Sequence, residues 1–380
     1  MDLRERIERY LKATAERGLW RDLKSPQTGK VDLSSNDYLG LANHPRLKAA
    51  MRAEIEENGC GATGSRLLRG HREIFTALEN KFAIFKQTPR ALFFGSGYAA
   101  NIGVLTAFLE PGDVVYSDEL NHASLIDGLR LAKARRVVFP HNDVAALRRL
   151  IVETPCSGQR FLVVESLFSM DGDFAPLDVY AEICCANKIA LIVDEAHAVG
   201  VYGATGSGLI EEFGIQKNVF LSINTAGKAL GVGGAFVAGD NWAIEYLIQR
   251  SRSFIFSTAP PPAMAAGLIA AIEIVEREPV RRAKLLDLAK FLRETLNENE
   301  ISVSNENSQI VPIMIGSSHK TSELAARLQN AGFDVRAIRP PTVPENTARL
   351  RVSLNSSLDK EVLRVFVQTL KESLKQLELK

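Results

Sequence analysis

An α/β architecture, with a mostly parallel sheet covered by helices on both faces, is what this sequence predicts, and three observations predict it. From residue 91 onward, short β-rich runs alternate with helical stretches. The runs at 91–94, 114–117, 136–139, 161–165, 190–194 and 220–223 are rich in Val, Ile, Leu and Phe, as strands buried on both faces must be. Polar or small residues follow most of these runs, and in such sheets ligands sit at the carboxyl ends of the strands.

A chain of 380 residues exceeds what one core usually fills, so domains around a cleft are expected. The division read from the sequence is an N-terminal arm over 1–40, a large domain over 41–261 and a smaller C-terminal α/β domain over 262–380. Apolar residues make up 46% of the chain, enough for a large core, and a net charge of +1 gives no pull toward nucleic acid or membrane. Cys60, Cys156, Cys184 and Cys185 show no C-x-x-C spacing and read as reduced thiols, with disulfide or zinc use unexpected. The first residues lack the apolar stretch of a secretory signal, so a cytoplasmic protein is expected. The longest apolar-rich run, 259–272, is too short to span a bilayer and reads as a buried helix.

Residues 1–30 alternate charged and apolar positions like an amphipathic arm, interrupted at Ser25-Pro26. A helix-like stretch over 46–57 leads into Gly59-Cys60-Gly61-Ala62-Thr63-Gly64. This matches G-x-G-x-x-G, but a dinucleotide fingerprint follows a strand and this one follows a helix. It is read as a flexible backbone segment near a site. Gly95-Ser96-Gly97-Tyr98 does follow a strand and opens a helix, which fits a plain N-cap and an anion site equally well. It also reads G-x-G-x-x-A, so a nicotinamide enzyme stays among the alternatives; that reading predicts no bound chromophore and a spectral response to NADH.

The stretch around 219–237 is an apolar strand, a small-residue turn carrying Lys228, and a second apolar run. A lysine among Gly and Ala leaves room for a flat ligand, and desolvation makes its amine a nucleophile toward a carbonyl. Most lysines on loops simply snorkel to water, so Lys228 gains weight only from its company. Asp118, Asn121 and His122 follow the second run, Asp194 and His197 the fifth, and Thr225 the sixth. By itself His122 is a helix cap and Asp194 a carboxylate satisfied at a strand end; together they place an imidazole, a carboxylate, an anion site and an amine along one edge. Asp194-Glu195-Ala196-His197 also spells a helicase box, but neither Gly29-Lys30 nor Gly227-Lys228 is followed by the hydroxyl that a phosphate-binding loop needs.

With these residues in view, the chain resembles the α-oxoamine synthase family of pyridoxal-phosphate (PLP) enzymes. The matching stretches include Asn36-Asp37-Tyr38-Leu39-Gly40-Leu41, Asn121-His122-Ala123-Ser124, His141-Asn142-Asp143 and Phe168-Ser169-Met170-Asp171-Gly172-Asp173. Val193-Asp194-Glu195-Ala196-His197, Thr225-Ala226-Gly227-Lys228 and Arg339-Pro340-Pro341-Thr342-Val343-Pro344 complete the set in the family's order. One departure is Ala226, where family members usually carry a larger residue, which is expected to leave the chemistry intact.

The resemblance implies the PLP-dependent fold type I and a C-acyltransferase acting on an amino acid and an acyl thioester. The best-matched member condenses L-alanine with a pimeloyl thioester, carried on coenzyme A or a carrier protein, with loss of CO₂. A glycine-using ligase or another α-oxoamine synthase is the alternative, and an inactive scaffold subunit of the same fold is the non-enzymatic one. Lys228 would hold the cofactor and move the Cα proton, Asp194 would pair with the pyridine nitrogen, and His122 would stack on the ring and border the substrate. Ser169 and His197 would bond the ring oxygen, and Gly97, Tyr98 and Thr225 the phosphate. Family members are homodimers with shared sites, so Ser257-Thr258 would reach the neighbour's phosphate. Arg351 matches the family's substrate-carboxylate arginine, with Arg21 and Thr342 as further substrate contacts. From period two alone Arg349 and Arg351 share a strand face, so either could be the ligand, and the plain alternative is a pair of arginines serving solubility.

Overall fold

Every run expected to be a strand is one, and the second apolar run after the lysine turn adds another. The computed structural model describes residues 2–378 except 24 and 27. Met1, Leu379 and Lys380, at the ends of the expected arm and C-terminal domain, and Lys24 and Gln27 within the arm lie outside the described residues. In chain order, α1 (Leu3–Glu16), β1 (Val31–Asp32), α2 (Pro45–Asn58) and α3 (Glu73–Lys86) come first. Then β2 (Arg90–Phe94), α4 (Gly97–Phe108), β3 (Val114–Asp118), α5 (Ala123–Leu131), β4 (Arg135–Phe139), α6 (Val144–Glu153), β5 (Arg160–Glu165), α7 (Leu177–Asn187) and β6 (Ile189–Asp194) alternate. They are followed by α8 (Leu209–Glu212), β7 (Leu221–Thr225), β8 (Ala235–Gly239), α9 (Asn241–Arg250), α10 (Arg252–Ile255), α11 (Pro262–Arg277) and α12 (Pro279–Glu298). The chain closes with β9 (Ile310–Gly316), α13 (Ser318–Asn330), β10 (Phe333–Asp334), β11 (Arg336–Ile338), β12 (Ala348–Ser353) and α14 (Lys360–Gln376).

The described chain forms two compact units. One comprises residues 37–169 and 173–284, the other residues 1–36, 170–172 and 285–380. The larger unit holds a seven-stranded sheet in the order β2-β8-β7-β6-β5-β3-β4. β8 pairs antiparallel with both neighbours, and all other pairings are parallel. Register brings strand ends level: Glu165 of β5 lies opposite Asp194 of β6, and Asp194 opposite Ile223 of β7. That alignment gathers polar residues from separate strands at one edge, as the sheet rule anticipates.

Below that edge the central strands bury apolar residues against α4 and α5, while the edge strand β4 leaves Arg135, Arg136 and Val138 exposed. Val115, Val163, Ile192 and Ile223 pack with Ala100, Val104 and Leu105 of α4 and with Leu125 and Leu129 of α5. Burial of each larger aliphatic side chain contributes roughly 1.5–3 kcal/mol, which holds the helix starts against the sheet. The starts are fixed locally as well. Ser96 Oγ accepts the Ala99 amide at 3.1 Å ahead of α4, and Asp143 Oδ1 accepts that of Ala146 at 2.8 Å ahead of α6. Gly59, at φ +80°, ends α2, so the 59–64 glycine motif follows a helix.

The smaller unit contains the antiparallel sheet β11-β12-β9 and the parallel pair β1-β10. α14 buries Leu363, Phe366, Val367, Leu370 and Leu374, spaced three or four apart along one face. Three expectations shift. The amphipathic start is helical only to Glu16, ahead of Ser25-Pro26, because Gly18 takes a left-handed φ of +64°. The buried helix expected over 259–272 runs from Pro262 to Arg277 and a second helix follows it, since Pro279 cannot continue α11. β1, β10 and β11, of two or three residues, carry no periodic signal and were not expected.

Candidate active site

The end of β6 sets the site. Asp194, nearly fully buried, accepts the main-chain N–H of Ala196 at 2.8 Å on Oδ1 and the Asn101 side-chain amide at 2.8 Å on Oδ2. The second hydrogen of that Asn101 amide goes to Ser124 Oγ, also at 2.8 Å. Ser124 Oγ lies 2.7 Å from His122 Nδ1, so its hydroxyl, already accepting from Asn101, donates to the imidazole. An unbroken chain of hydrogen bonds from neutral donors thus links Asp194 to His122.

His122 is the N-cap of α5 as well, its Nδ1 accepting the Ser124 amide at 3.2 Å. The cap leaves the ring linked to Asp194 through Ser124 and Asn101. With Nδ1 occupied as an acceptor, the ring proton belongs on Nε2. Burial lowers the pKa of His122, Asp194 counteracts this and Lys228 adds to it, so the ring is neutral at neutral pH. Its main-chain N–H donates to Glu165 Oε1 at 2.6 Å. Burial, then the Asp194 charge, pushes the Glu165 carboxyl up to about 8. Asn121 ties the same turn to β5 through Val163 O at 2.7 Å and the Glu165 amide at 3.2 Å.

Lys228 stands in the turn after β7, half-buried, with Nζ 2.7 Å from His197 Nε2. His197 Nδ1 in turn lies 2.6 Å from the Tyr38 hydroxyl. With an ammonium donating to Nε2, Nδ1–H donates to Tyr38; a neutral amine can either donate to Nε2 or accept from it. A charged Lys228 therefore restricts the tautomer of a buried histidine. Ala226, the small residue before Gly227, is fully buried and donates to Gly234 O at 2.9 Å.

Thr225 closes β7 against the start of α4: a Cβ placed on Gly97 would come within 2.4 Å of Thr225 Oγ1. Glycine is needed for that approach, and the first-turn amides of Gly97 and Tyr98 have no partner inside the helix. Tyr98 is exposed and donates its hydroxyl to Asp127. Ser169 is half-buried in the loop after β5, and Ser257 and Thr258 are exposed after α10, where Thr258 bridges to Ser65. The structure thus brings together Lys228 with His197, Asp194 with His122, and Gly97 with Thr225.

In the smaller unit, Arg349 and Arg351 lie on one face of β12, but both are buried, so the solubility alternative fails. Arg349 is committed: it pairs with Asp171 and donates to Thr347 O at 3.0 Å and Met170 O at 3.3 Å. Arg351 donates to the neutral oxygens Asn36 Oδ1 at 3.1 Å and Ser353 Oγ at 2.6 Å. Arg21 and Thr342 are exposed. Near Arg21, Arg339 donates to the carbonyl of Gly18.

Sequence reasoning missed Asn101, Tyr38 and Glu165 as site residues. Asn101 had a signal, a lone amide within the apolar helix α4 one turn after Gly97. Tyr38 and Glu165 had none until tertiary contacts over 159 and 43 residues formed.

Residues 28–370 match the family model described as aminotransferase class I and II. An 8-amino-7-oxononanoate synthase from Geobacter sulfurreducens is 42% identical over 366 residues, covering 93% of this chain and 94% of its own. Among solved structures, an 8-amino-7-oxononanoate synthase from Francisella tularensis superposes with TM-score 0.80 at 29% identity, covering 93% of this chain and 100% of its own. A serine palmitoyltransferase from S. paucimobilis, solved with bound PLP and myriocin, superposes with TM-score 0.92 at 26% identity over 100% of both chains.

Proposed function

Because the chain belongs to the class I and II aminotransferase family, we propose that it condenses L-alanine with a pimeloyl thioester, with loss of CO₂, to give 8-amino-7-oxononanoate. It is a PLP-dependent acyltransferase-type enzyme. The residues fit the cofactor on three counts. A buried carboxylate held only by neutral donors suits a protonated pyridine nitrogen, the Gly97 cradle against Thr225 suits a phosphate, and an amine stands beside a histidine that can exchange its proton. The observation that carries the reading is the hydrogen-bond chain from Asp194 through Asn101 and Ser124 to His122.

PLP, when bound, supplies an electron sink for the pair left on Cα once a proton or carboxyl group departs. Lys228 would hold the cofactor, and its Nζ, relayed through His197 and Tyr38, would take and return the Cα proton. Asp194 would keep the pyridine nitrogen protonated, and the neutral imidazole of His122 would cover the ring and border the substrate. Ser169 and His197 would bond the ring oxygen; Gly97, Tyr98 and Thr225 would bind the phosphate.

Arg351 is the proposed carboxylate ligand, a choice supported by the commitment of Arg349 to Asp171. Arg21 and Thr342 are the proposed remaining substrate contacts. The protein is further proposed to be a cytoplasmic homodimer with Ser257-Thr258 serving the neighbour's site; no described helix is long and apolar enough to cross a membrane. The three-part division at 40/41 and 261/262 stands as a proposal for the functional domains. The test is a comparison of L-alanine and glycine, each with pimeloyl and acetyl thioesters. Faster CO₂ release and thiol production with alanine and pimeloyl thioester is expected; a preference for glycine and acetyl thioester would assign the ligase instead.

A further inference from the structure

The residues His141-Asn142, just after β4, have no part in the reading above, yet they lie between two loops that carry site residues. His141 Nδ1 is 2.9 Å from Asp118 Oδ1, and its Nε2 is 2.7 Å from Asp173 Oδ2. A neutral imidazole has a single N–H and could donate to only one of these carboxylates; an imidazolium donates to both. Burial opposes that charge, but the hydrogen bonds to Asp118 and Asp173 and their charges outweigh it and raise the pKa to about 10. Asn142, in the left-handed region at φ +53°, adds its main-chain N–H to Asp118 Oδ2 at 2.9 Å and its side-chain amide to Asp173 Oδ2 at 3.0 Å.

Each aspartate sits in a loop that carries a site candidate, Asp118 tying its loop through the carboxylate and Asp173 through its main-chain carbonyl. Asp118 Oδ1 also accepts the Leu120 amide at 2.8 Å, fixing the turn that delivers Asn121 and His122. Asp173 O accepts the Phe168 amide at 3.0 Å, and Leu167 bridges to Phe174, closing the loop in which Ser169 lies. The Phe168 ring meets the His141 ring edge-on, with centroids 4.4 Å apart.

We propose that His141 is a positioning residue, a two-sided staple between the loop that carries His122 and the loop that carries Ser169, and that retention of PLP depends on it. The proposal rests on the PLP reading of the site. Other ionisable groups face the staple: Glu119 Oε1 accepts the His141 main-chain N–H at 2.9 Å, Asp143 caps α6 next door, and Tyr180 on α7 has its phenol pushed up by burial and by Asp118, Asp143 and Asp173. The folded pKa lies above the ordinary 6.5, so the staple's stabilisation is complete below about pH 6.5 and is lost as pH rises through about 10.

Three measurements test it. Imidazole ¹⁵N spectra, with His141 assigned by its loss in His141→Gln, should show both ring nitrogens protonated at pH 8.5; a neutral ring there overturns the staple. Melting of the apoprotein should show a gap between wild type and His141→Gln at pH 7 that closes by pH 10.5; a gap independent of pH overturns it. PLP should dissociate about 10-fold or more readily from His141→Gln at pH 7.5, the worth of one hydrogen bond to a charged group. Adding Asp173→Asn should recover part of that loss by removing a carboxylate left without its cationic partner, whereas equal PLP retention in wild type and His141→Gln overturns the dependence. A wild type that takes up no PLP refutes the functional reading and the retention claim together, while the spectra and melting curves still decide the staple.

Discussion

Asp194 and Glu195 are adjacent carboxylates at the end of one strand, both buried, and the surrounding protein treats them in opposite ways. Glu195 is fully buried against Lys86, itself only 2% exposed, whose ammonium also donates to Ser207 O at 2.6 Å. The Ile210 amide donates to Glu195 Oε1 at 3.0 Å, and Gly208, at φ +128°, leaves no room for a Cβ beside that carboxylate. Asp194 receives only neutral donors, Asn101 and the Ala196 amide. A buried charge matched by a cation of the chain is spent on structure; one solvated by fixed dipoles keeps its charge for a cationic group brought by a ligand.

The comparison breaks most visibly at Lys86. Lys86→Met should cost about 3–5 kcal/mol in chemical denaturation, because Glu195 is left buried and unpaired. Adding Glu195→Gln should recover much of that loss, with activity per folded molecule close to wild type. A cost under about 1 kcal/mol for Lys86→Met would show that the pair is not structural.

Asp194→Asn tests the other carboxylate. Without its charge the pyridine nitrogen should lose its proton, and turnover should fall on the order of 100-fold or more while the unfolding midpoint barely moves. Near-wild-type turnover in steady-state assay would place Asp194 with Glu195 as a structural group. The smallest effect is expected at Asn101, where Asn101→Ala removes hydrogen bonds to Asp194 and Ser124 together. About 1.5–3 kcal/mol should be lost from PLP affinity, read by equilibrium dialysis, with global stability less affected. Equal losses in stability and PLP affinity would mean that Asn101 serves the core alone.

The sequence by itself determined the sheet and the chemistry-bearing edge. Runs such as Leu191-Ile192-Val193 are buried on both faces, so apolar continuity marks them without any knowledge of their neighbours. The residues at and after their carboxyl ends, Gly97, His122, Asp194, Thr225 and Lys228, stand where a parallel sheet presents groups to a ligand, which is why they were singled out as candidates. Tertiary structure decided what each polar group does. Nothing local distinguishes Asp194 from Glu195: their partners Asn101 and Lys86 lie 93 and 109 residues away in sequence. His122 both caps α5 and ties that turn to β5 because its Nδ1 and its backbone N–H meet different elements. His141 is charged because two loops deliver Asp118 and Asp173 to opposite sides of its ring. Periodicity records which face of an element is buried, while charge state and hydrogen-bond direction depend on which distant atoms share that burial, and only the folded chain fixes those.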